Sequence, residues 1–155
     1  LVQKLNSKKL TQQQRRKLYP SIIMNAAVGI GSASVHEIEK LNILGATKVA
    51  MSRALSNLGF IPNMALIDGN QLPNLPCATK YIIKGDTKSL SIAAASIIAK
   101  VSRDNHMINL SRTSSGYGWE NNFGYGTKQH IAALKENGVT RHHRRSYKPI
   151  REMLT

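Results

Sequence analysis

The first half of the chain alternates between helical and extended hydrophobic patterns. A capping box at Thr11, followed by apolar residues at helical spacing, predicts a helix over about 11–24. The small apolar run at 26–30 predicts a short strand. A second capping box at Ser34 opens another helical pattern, which continues until Gly59 provides a stop. The sequence therefore predicts two helices with one strand between them.

Two further apolar runs predict strands of a sheet. Residues 64–67 are continuously apolar and lead directly into the turn at 68–70, a pattern typical of a buried strand that ends sharply. Residues 81–83 predict another short strand. Strands that alternate with helices favour an α/β layer structure with some parallel pairing. Sites in such sheets gather at the carboxyl ends of strands, which is where Asp68 falls.

The longest predicted helix covers about 89–110 and has an apolar stripe on one face. The stripe residues fall three, four or seven positions apart: Leu90, Ala94, Ile97, Val101 and Ile108. Asp104 occupies the same stripe, three residues after Val101 and four before Ile108. Asp86 lies just ahead of this helix and is interpreted as its cap. The pattern thus predicts a carboxylate on the buried face of a central helix.

Asp68 and Asp104 are the predicted catalytic and metal-binding residues. Each has an ordinary alternative, because Asp-Gly is a common turn pair and Asp104 could pair with Arg103 or Arg112 or reach solvent near the helix end. A carboxylate at a position that suits an apolar residue costs free energy, so it favours a partner. Hard oxygen ligands from a strand end and a neighbouring helix can converge on Mg²⁺ or Mn²⁺. We therefore predict a divalent metal site.

The charge of the chain predicts a polyanionic partner. With 22 Lys+Arg against 8 Asp+Glu, the formal net charge is +14 and the isoelectric point is near 10.3. Basic residues crowd both ends, including the segment of about 139–155, and neither end has the amphipathic stripe with Trp or Phe that a membrane surface favours. The lone Cys77 suits a reducing compartment. We expect a single domain over 1–155, a cytoplasmic monomer that binds nucleic acid and no membrane.

The glycine-rich aromatic segment after the long helix contains one further candidate. Tyr125 stands between two glycines, and a ring on an exposed loop can stack on a sugar or base. A ring that covers a sheet edge is the alternative. The histidines show no zinc-site spacing and are interpreted as solvated, with a proton-shuttle role for the tail pair His142 and His143 as the second interpretation.

At this point the motifs resemble a known family. Residues 66–70 and 84–104 closely resemble bacterial ribonuclease HII, and so do 124–127, 142–146 and 6–10. The resemblance runs over essentially the whole chain. The long motif at 84–104 is highly specific, whereas the Asp-Gly-Asn turn by itself is not.

The resemblance implies an RNase H-like α/β fold, with a mixed sheet flanked by helices. It also implies endonucleolytic cleavage of RNA paired to DNA, including isolated ribonucleotides in duplex DNA. Members of the family use four carboxylates to bind two Mg²⁺ or Mn²⁺ ions and leave a 5′-phosphate and a 3′-hydroxyl. Asp68 and Asp104 match the third and fourth of these carboxylates.

Other positions carry binding roles in the resemblance, and one departure is serious. Tyr125 matches the tyrosine that packs on the nucleotide sugar, while Ser7 and Lys8 match a segment close to the nucleic-acid backbone, although Asn6 replaces the usual Asp. The family begins with a strand that carries an Asp-Glu pair and a Gly-Arg-Gly loop, and this chain has no acid before Glu37. We therefore expect an amino-terminally truncated domain with weak or no activity.

Two other interpretations stay open. The chain could be a basic nucleic-acid-binding protein without catalysis, in which the aspartates are purely structural. It could also be a decayed reading frame that makes no stable protein. Metal binding separates the first from the enzyme, and thermal melting beside a longer polypeptide tests the second.

Overall fold

The computed structural model describes residues 9–154, so the predicted binding residues Ser7 and Lys8 lie outside the described residues. The chain divides into two compact units. The first comprises the residues up to Ala33 together with Leu44–Val101, and the second comprises Ser34–Ile43 and the residues from Ser102 onward.

Helices dominate the described residues. In chain order the elements are α1 (Gln12–Asn25), α2 (Val35–Ser56), β1 (Met64–Asp68), β2 (Ala78–Ile82), a 3₁₀ turn (Gly85–Thr87), α3 (Leu90–Thr113), α4 (Trp119–Asn122), α5 (Lys128–Asn137) and α6 (Ile150–Met153). Within residues 9–154, no helix combines the length and the apolar character needed to cross a membrane.

Both predicted capping boxes are present. The Thr11 N–H donates to Gln14 Oε1 at 2.8 Å and the Gln14 N–H donates to Thr11 Oγ1 at 3.2 Å. Ser34 and Glu37 make the same reciprocal pair at 2.8 and 3.2 Å. The continuous helical pattern after Ser34 is wrong at one position, because Asn42 has φ 59° and ψ 176° and interrupts α2. The two parts of α2 accordingly fall in different units.

The strand predicted at 26–30 is not formed. The segment is extended, but it lies on the backbone of α2 instead of joining a sheet. A Cβ on Gly29 would collide with the Ala54 carbonyl oxygen, so only glycine allows this approach. The Asn57 side chain donates to the Ile30 carbonyl at 2.7 Å, which supplies a partner that a neighbouring strand would otherwise provide.

The sheet of the first unit has two parallel strands within the described residues. β1 pairs with β2 in the register Met64 with Ala78 through Asp68 with Ile82, which confirms the predicted parallel pairing. β2 begins three residues before the predicted 81–83. The prediction of a buried strand is wrong for most of β1, because only Ile67 is buried and Met64 is 54% exposed. Hydrophobicity alone predicted the strand but not what covers it.

Helix α3 has the predicted buried stripe in its centre, and the cap differs from the prediction. Ile97 and Val101 are buried, whereas Leu90 at the start is 43% exposed. The cap is Ser89, whose hydroxyl accepts from the Ile92 N–H at 3.5 Å. Asp86 is instead fully buried in the 3₁₀ turn. The cap prediction for Asp86 failed because this extra turn separates it from the helix.

The second unit has its own hydrophobic core. Its buried members are Tyr117, Trp119, Ala133, Leu134 and Ile150, contributed by α4, α5, α6 and the loop before α4. The Tyr117 and Trp119 rings stack with their centroids 5.0 Å apart. This core supports the loop that contains Tyr125.

Candidate metal and nucleic-acid site

Asp68 stands at the carboxyl end of β1, as predicted. Gly69 continues the strand pairing, since its N–H donates to the Ile82 carbonyl at 3.2 Å, and its φ of 107° then turns the chain. The Asp68 side chain is exposed, and its Oδ1 accepts from the Gly85 N–H at 2.7 Å. This hydrogen bond fixes the carboxylate relative to the end of β2 and leaves Oδ2 for another partner.

The second predicted carboxylate, Asp104, is buried on α3. It is only 7% exposed and lies one turn after the buried Val101. Within the described residues of the second unit, no hydrogen bond or ion pair reaches it. Arg103 is one of the two arginines predicted as possible partners, but its guanidinium lies over the Tyr125 ring instead. The carboxylate oxygens of Asp104 are not among the fully buried, unpartnered polar atoms of the described residues, so this carboxylate keeps access to solvent. A bound divalent cation is a partner that suits such a group.

Asp68 and Asp104 belong to different units, and each is described within its own unit. Among residues 9–154, no group of three or more His, Cys, Asp or Glu side chains is placed to hold a metal ion. The chemistry of the two carboxylates nevertheless fits a hard divalent cation, because both supply oxygen donors.

Tyr125 is exposed and lies beside the guanidinium group of Arg103. Its ring is 63% exposed, and the Arg103 guanidinium carbon lies 4.7 Å from the ring centroid. Arg103 is the immediate neighbour of Asp104 in α3, so the exposed ring stands beside the helix segment that carries the carboxylate. The arrangement presents an aromatic face and a positive charge together, which suits a sugar–phosphate backbone.

The backbone around Tyr125 is fixed by buried side chains. Asn122 is 6% exposed, and its amide donates to the Tyr117 carbonyl at 2.7 Å while its Oδ1 accepts from the Gly124 N–H at 2.8 Å. The Tyr125 N–H donates to the Asn122 carbonyl at 2.9 Å. On the other side, the Tyr125 carbonyl lies 3.0 Å from His130 Nδ1 and accepts from the Thr127 N–H at 2.8 Å.

The interpretation of all histidines as solvated is wrong for two of them. His130 and His143 are only 5% and 7% exposed, and their Nε2 atoms lie 3.2 Å apart. Trp119 Nε1 donates to His130 Nε2 at 3.1 Å, and the Thr140 N–H donates to His143 Nδ1 at 3.0 Å. The one available signal in the sequence was the crowding of rings and histidines in the last third of the chain. It did not specify which histidines are buried.

The buried position of His143 changes its protonation. Burial, followed by the proximity of His130, lowers the pKa of His143 from 6.5 to about 4. His142 has a lowered pKa for similar reasons, with burial first and the neighbouring Arg141 and His106 next. His143 is therefore neutral at physiological pH.

A family model described as ribonuclease HII matches residues 4–150. The chain belongs to the ribonuclease HII family. This confirms the resemblance carried by the motifs at 66–70 and 84–104, and it classifies the chain by family as an endonuclease of the HII type.

Individual members of the ribonuclease HII family give the same result. The ribonuclease HII of Gluconobacter oxydans is 54% identical over 151 residues, which are 96% of this chain and 73% of that protein. The ribonuclease HII of Rhodospirillum rubrum is 51% identical, and the match covers 69% of that protein. The ribonuclease HII of Ruegeria pomeroyi is also 51% identical, and the match covers 64% of it. The chain thus spans roughly two thirds to three quarters of the length of these relatives.

A solved structure confirms the predicted fold class. The ribonuclease H2 of Pyrococcus horikoshii OT3 superposes with a TM-score of 0.75 over 98% of this chain and 80% of that one. At 22% identity this likeness shows the fold alone. The RNase H-like α/β prediction is therefore correct.

Proposed function

We propose that this chain provides part of a metal-dependent endoribonuclease that cleaves RNA in RNA/DNA hybrids and at ribonucleotides embedded in duplex DNA. Membership of the ribonuclease HII family supports the activity class, and a net charge of +14 supports a phosphate-rich substrate. The observation that carries the proposal is the Asp104 carboxylate, which is buried on α3 without a hydrogen bond or ion pair in its own unit. A largely buried carboxylate without such a partner is a candidate functional group.

Asp68 and Asp104 are the proposed ligands of Mg²⁺ or Mn²⁺ and the proposed catalytic residues. Asp68 Oδ2 is left over by the hydrogen bond from Gly85, and Asp104 contributes a buried carboxylate. Ions held by these two carboxylates would supply activation of a water and stabilisation of charge on the phosphate and on the leaving oxygen, with a 5′-phosphate and a 3′-hydroxyl as the products.

The remaining proposed roles concern the hold on the substrate. The Tyr125 ring packs on the sugar beside the cleaved bond, and the Arg103 guanidinium stacked on that ring attracts the adjoining phosphate. Ser7 and Lys8 approach the nucleic-acid backbone. The basic segment of about 139–155 increases the local concentration of duplex.

We also propose that the chain lacks part of its metal site. The lack of any group of three or more metal-binding side chains within residues 9–154 supports this, and so does the 64–73% coverage of the three relatives named above. The other carboxylates would lie in a part of the longer relatives that has no counterpart in these 155 residues. The expected behaviour is hybrid binding with weak cleavage or none.

Thermal melting with and without millimolar Mn²⁺ tests the metal proposal on the chain itself. We expect Mn²⁺ to raise the melting temperature of the unmodified chain. In Asp104→Asn, Mn²⁺ should leave the melting temperature unchanged. Glu136→Gln removes the same charge from the exposed face of α5 and is the matched control. An equal Mn²⁺ effect in Asp104→Asn and in the unmodified chain would contradict the proposed ligand.

Cleavage of a labelled RNA/DNA hybrid tests the incompleteness proposal. If the 155-residue chain cleaves the hybrid in Mn²⁺ at the rate of a full-length relative, the proposal that its metal site is incomplete is wrong. If a longer polypeptide restores cleavage, Asp68→Asn and Asp104→Asn in that polypeptide should each abolish it while hybrid binding persists.

A nucleic-acid-binding protein without catalysis is the second candidate. The observation in its favour is the same lack of a clustered metal site among the described residues. It predicts salt-dependent hybrid binding with no response to Mn²⁺ in either experiment.

A further inference from the structure

The buried histidine pair is connected to the exposed Tyr125 through an unbroken line of hydrogen bonds. Thr140 contacts His143, His143 contacts His130, and His130 contacts the Tyr125 carbonyl. The heavy-atom distances along this line are 3.0, 3.2 and 3.0 Å. All three lie within hydrogen-bonding range, so the buried histidines are linked to the backbone of Tyr125.

The direction of every bond in this line is determined by groups that can only donate. The Thr140 backbone N–H donates to His143 Nδ1, so in the neutral ring the proton is on Nε2 and points at His130. The Trp119 indole N–H donates to His130 Nε2, so the proton of His130 is on Nδ1. His130 Nδ1–H then donates to the Tyr125 carbonyl. Thr140 thus fixes the tautomer of His143 and Trp119 fixes that of His130, and the Trp119 N–H and the His143 Nε2–H share the one lone pair of His130 Nε2.

We propose that His130 and His143 are positioning residues that hold Tyr125 in place for the nucleotide sugar, through directed hydrogen bonds that end on the Tyr125 carbonyl. The proposal rests on the proposed function, in which Tyr125 meets that sugar. The Trp119 N–H and the His143 Nε2–H both point at His130 Nε2, which places the proton of His130 on Nδ1, and His130 then holds the backbone of Tyr125. The lowered pKa of His143 is consistent with this arrangement, because only the neutral ring can accept from Thr140.

The His130 bond adds to the hydrogen bonds that Asn122 and Thr127 make to this loop. Tyr125 lies between Gly124, which has a φ of 77°, and Gly126. A Cβ added at Gly126 would meet no atom within 4 Å, so the space around it is open. The Tyr125 ring has one close ring contact in its unit, the guanidinium of Arg103. The bond from His130 therefore restricts a residue whose own side chain is 63% exposed. Pre-ordering of a contact residue lowers the cost of binding.

Two substitutions at His130 separate positioning from simple core filling. In His130→Asn, the amide nitrogen replaces Nδ1 and can still donate to the Tyr125 carbonyl. In His130→Gln, the amide oxygen replaces Nε2 and can still accept from Trp119, but the donor to Tyr125 is lost. The two side chains are both polar amides, so each is the matched control for the other.

The affinity of the 155-residue chain for a fluorescein-labelled RNA/DNA hybrid is measured for each variant, alone and combined with Tyr125→Ala. We expect His130→Gln to weaken binding about three- to tenfold, the range expected for one lost hydrogen bond, and His130→Asn to stay within about twofold. In the Tyr125→Ala background, His130→Gln should have no further effect, because its role acts through Tyr125. An equal loss in both backgrounds would overturn the proposal.

A measurement on the unmodified chain keeps the proposal testable if the variants do not fold. Nitrogen-15 NMR at neutral pH distinguishes the two neutral imidazole tautomers. We expect His130 to be protonated on Nδ1 and His143 on Nε2, and the opposite tautomer in either ring would overturn the positioning line. If Tyr125→Ala leaves hybrid affinity unchanged, the role of Tyr125 in the proposed function is wrong. The NMR measurement of the two tautomers still tests the hydrogen bonds from Thr140 to Tyr125 independently.

Discussion

Mild acid should destabilise the second unit through one histidine. His143 has a pKa of about 4 in the folded chain against 6.5 in a free histidine. Between these values the unfolded chain binds a proton that the folded chain excludes, so the free energy of unfolding falls as the pH falls. The contribution of neutral His143 is complete above about pH 6.5 and is lost progressively toward pH 4.

The two pKa values set the size of the effect. Lowering the pH from about 7 to about 5 would reduce the free energy of unfolding by about 2 kcal/mol if the folded chain fully excluded the proton. Water near the ring edge and relaxation of the loop reduce this penalty, so we expect about 1 kcal/mol. The His143→Asn variant does not titrate at this position and should lack that part of the pH dependence.

Urea denaturation followed by tryptophan fluorescence is the appropriate assay. Trp119 is the only tryptophan of the chain, is 1% exposed, and lies with its ring centroid 5.3 Å from that of His143. Its emission therefore reports on the unit that contains the histidine. The unmodified chain and His143→Asn differ at this one titratable side chain, so the difference between their pH slopes reports on His143. Equal slopes for the unmodified chain and His143→Asn would refute the reasoning.

Three further measurements follow from the structure. Gly29→Ala should lower the free energy of unfolding by about 2 kcal/mol or more, because the new methyl group collides with the backbone of α2. Gly126→Ala is the control, because the space around Gly126 is open, and it should change the free energy of unfolding by less than about 0.5 kcal/mol. Urea denaturation measures both variants. Asp104→Asn should raise the free energy of unfolding in metal-free buffer by about 1 kcal/mol, since it removes a buried charge, and a decrease would show that the carboxylate is already compensated. Hybrid affinity should fall steeply between about 50 and 200 mM salt, and a flat salt response in fluorescence anisotropy would contradict backbone binding by a chain of net charge +14.

Local signals in the sequence predicted most of the secondary structure correctly. The capping boxes at Thr11 and Ser34 are formed as predicted, because the bonds of a capping box join residues only three positions apart. The burial of Asp104 follows from the pattern within one helix, and the parallel pairing follows from the alternation of strands with helices. The strand at 26–30 failed for the converse reason. Whether an apolar segment joins a sheet or lies on a helix depends on residues far along the chain.

The candidate site shows the same division. The sequence was sufficient to single out Asp68 by its place at a strand end, Asp104 by its place on an apolar stripe and Tyr125 by its flanking glycines. Their roles stay predictions. The sequence did not reveal that Arg103 lies over Tyr125, nor that Asp86 is buried in its turn instead of capping α3. These facts depend on side-chain directions that spacing alone does not determine.

By itself, the sequence determined the family, the α/β class and the strongly basic character of this protein, since motifs, periodicity and charge are properties of the chain. Only the tertiary structure decided that His130 and His143 are buried against Trp119 and connected to Tyr125. These residues come from α4, α5 and the loops around them, so their contact is a result of packing. The Thr140 donor is local to His143, but Trp119, His130 and His143 become neighbours only after the second unit has folded.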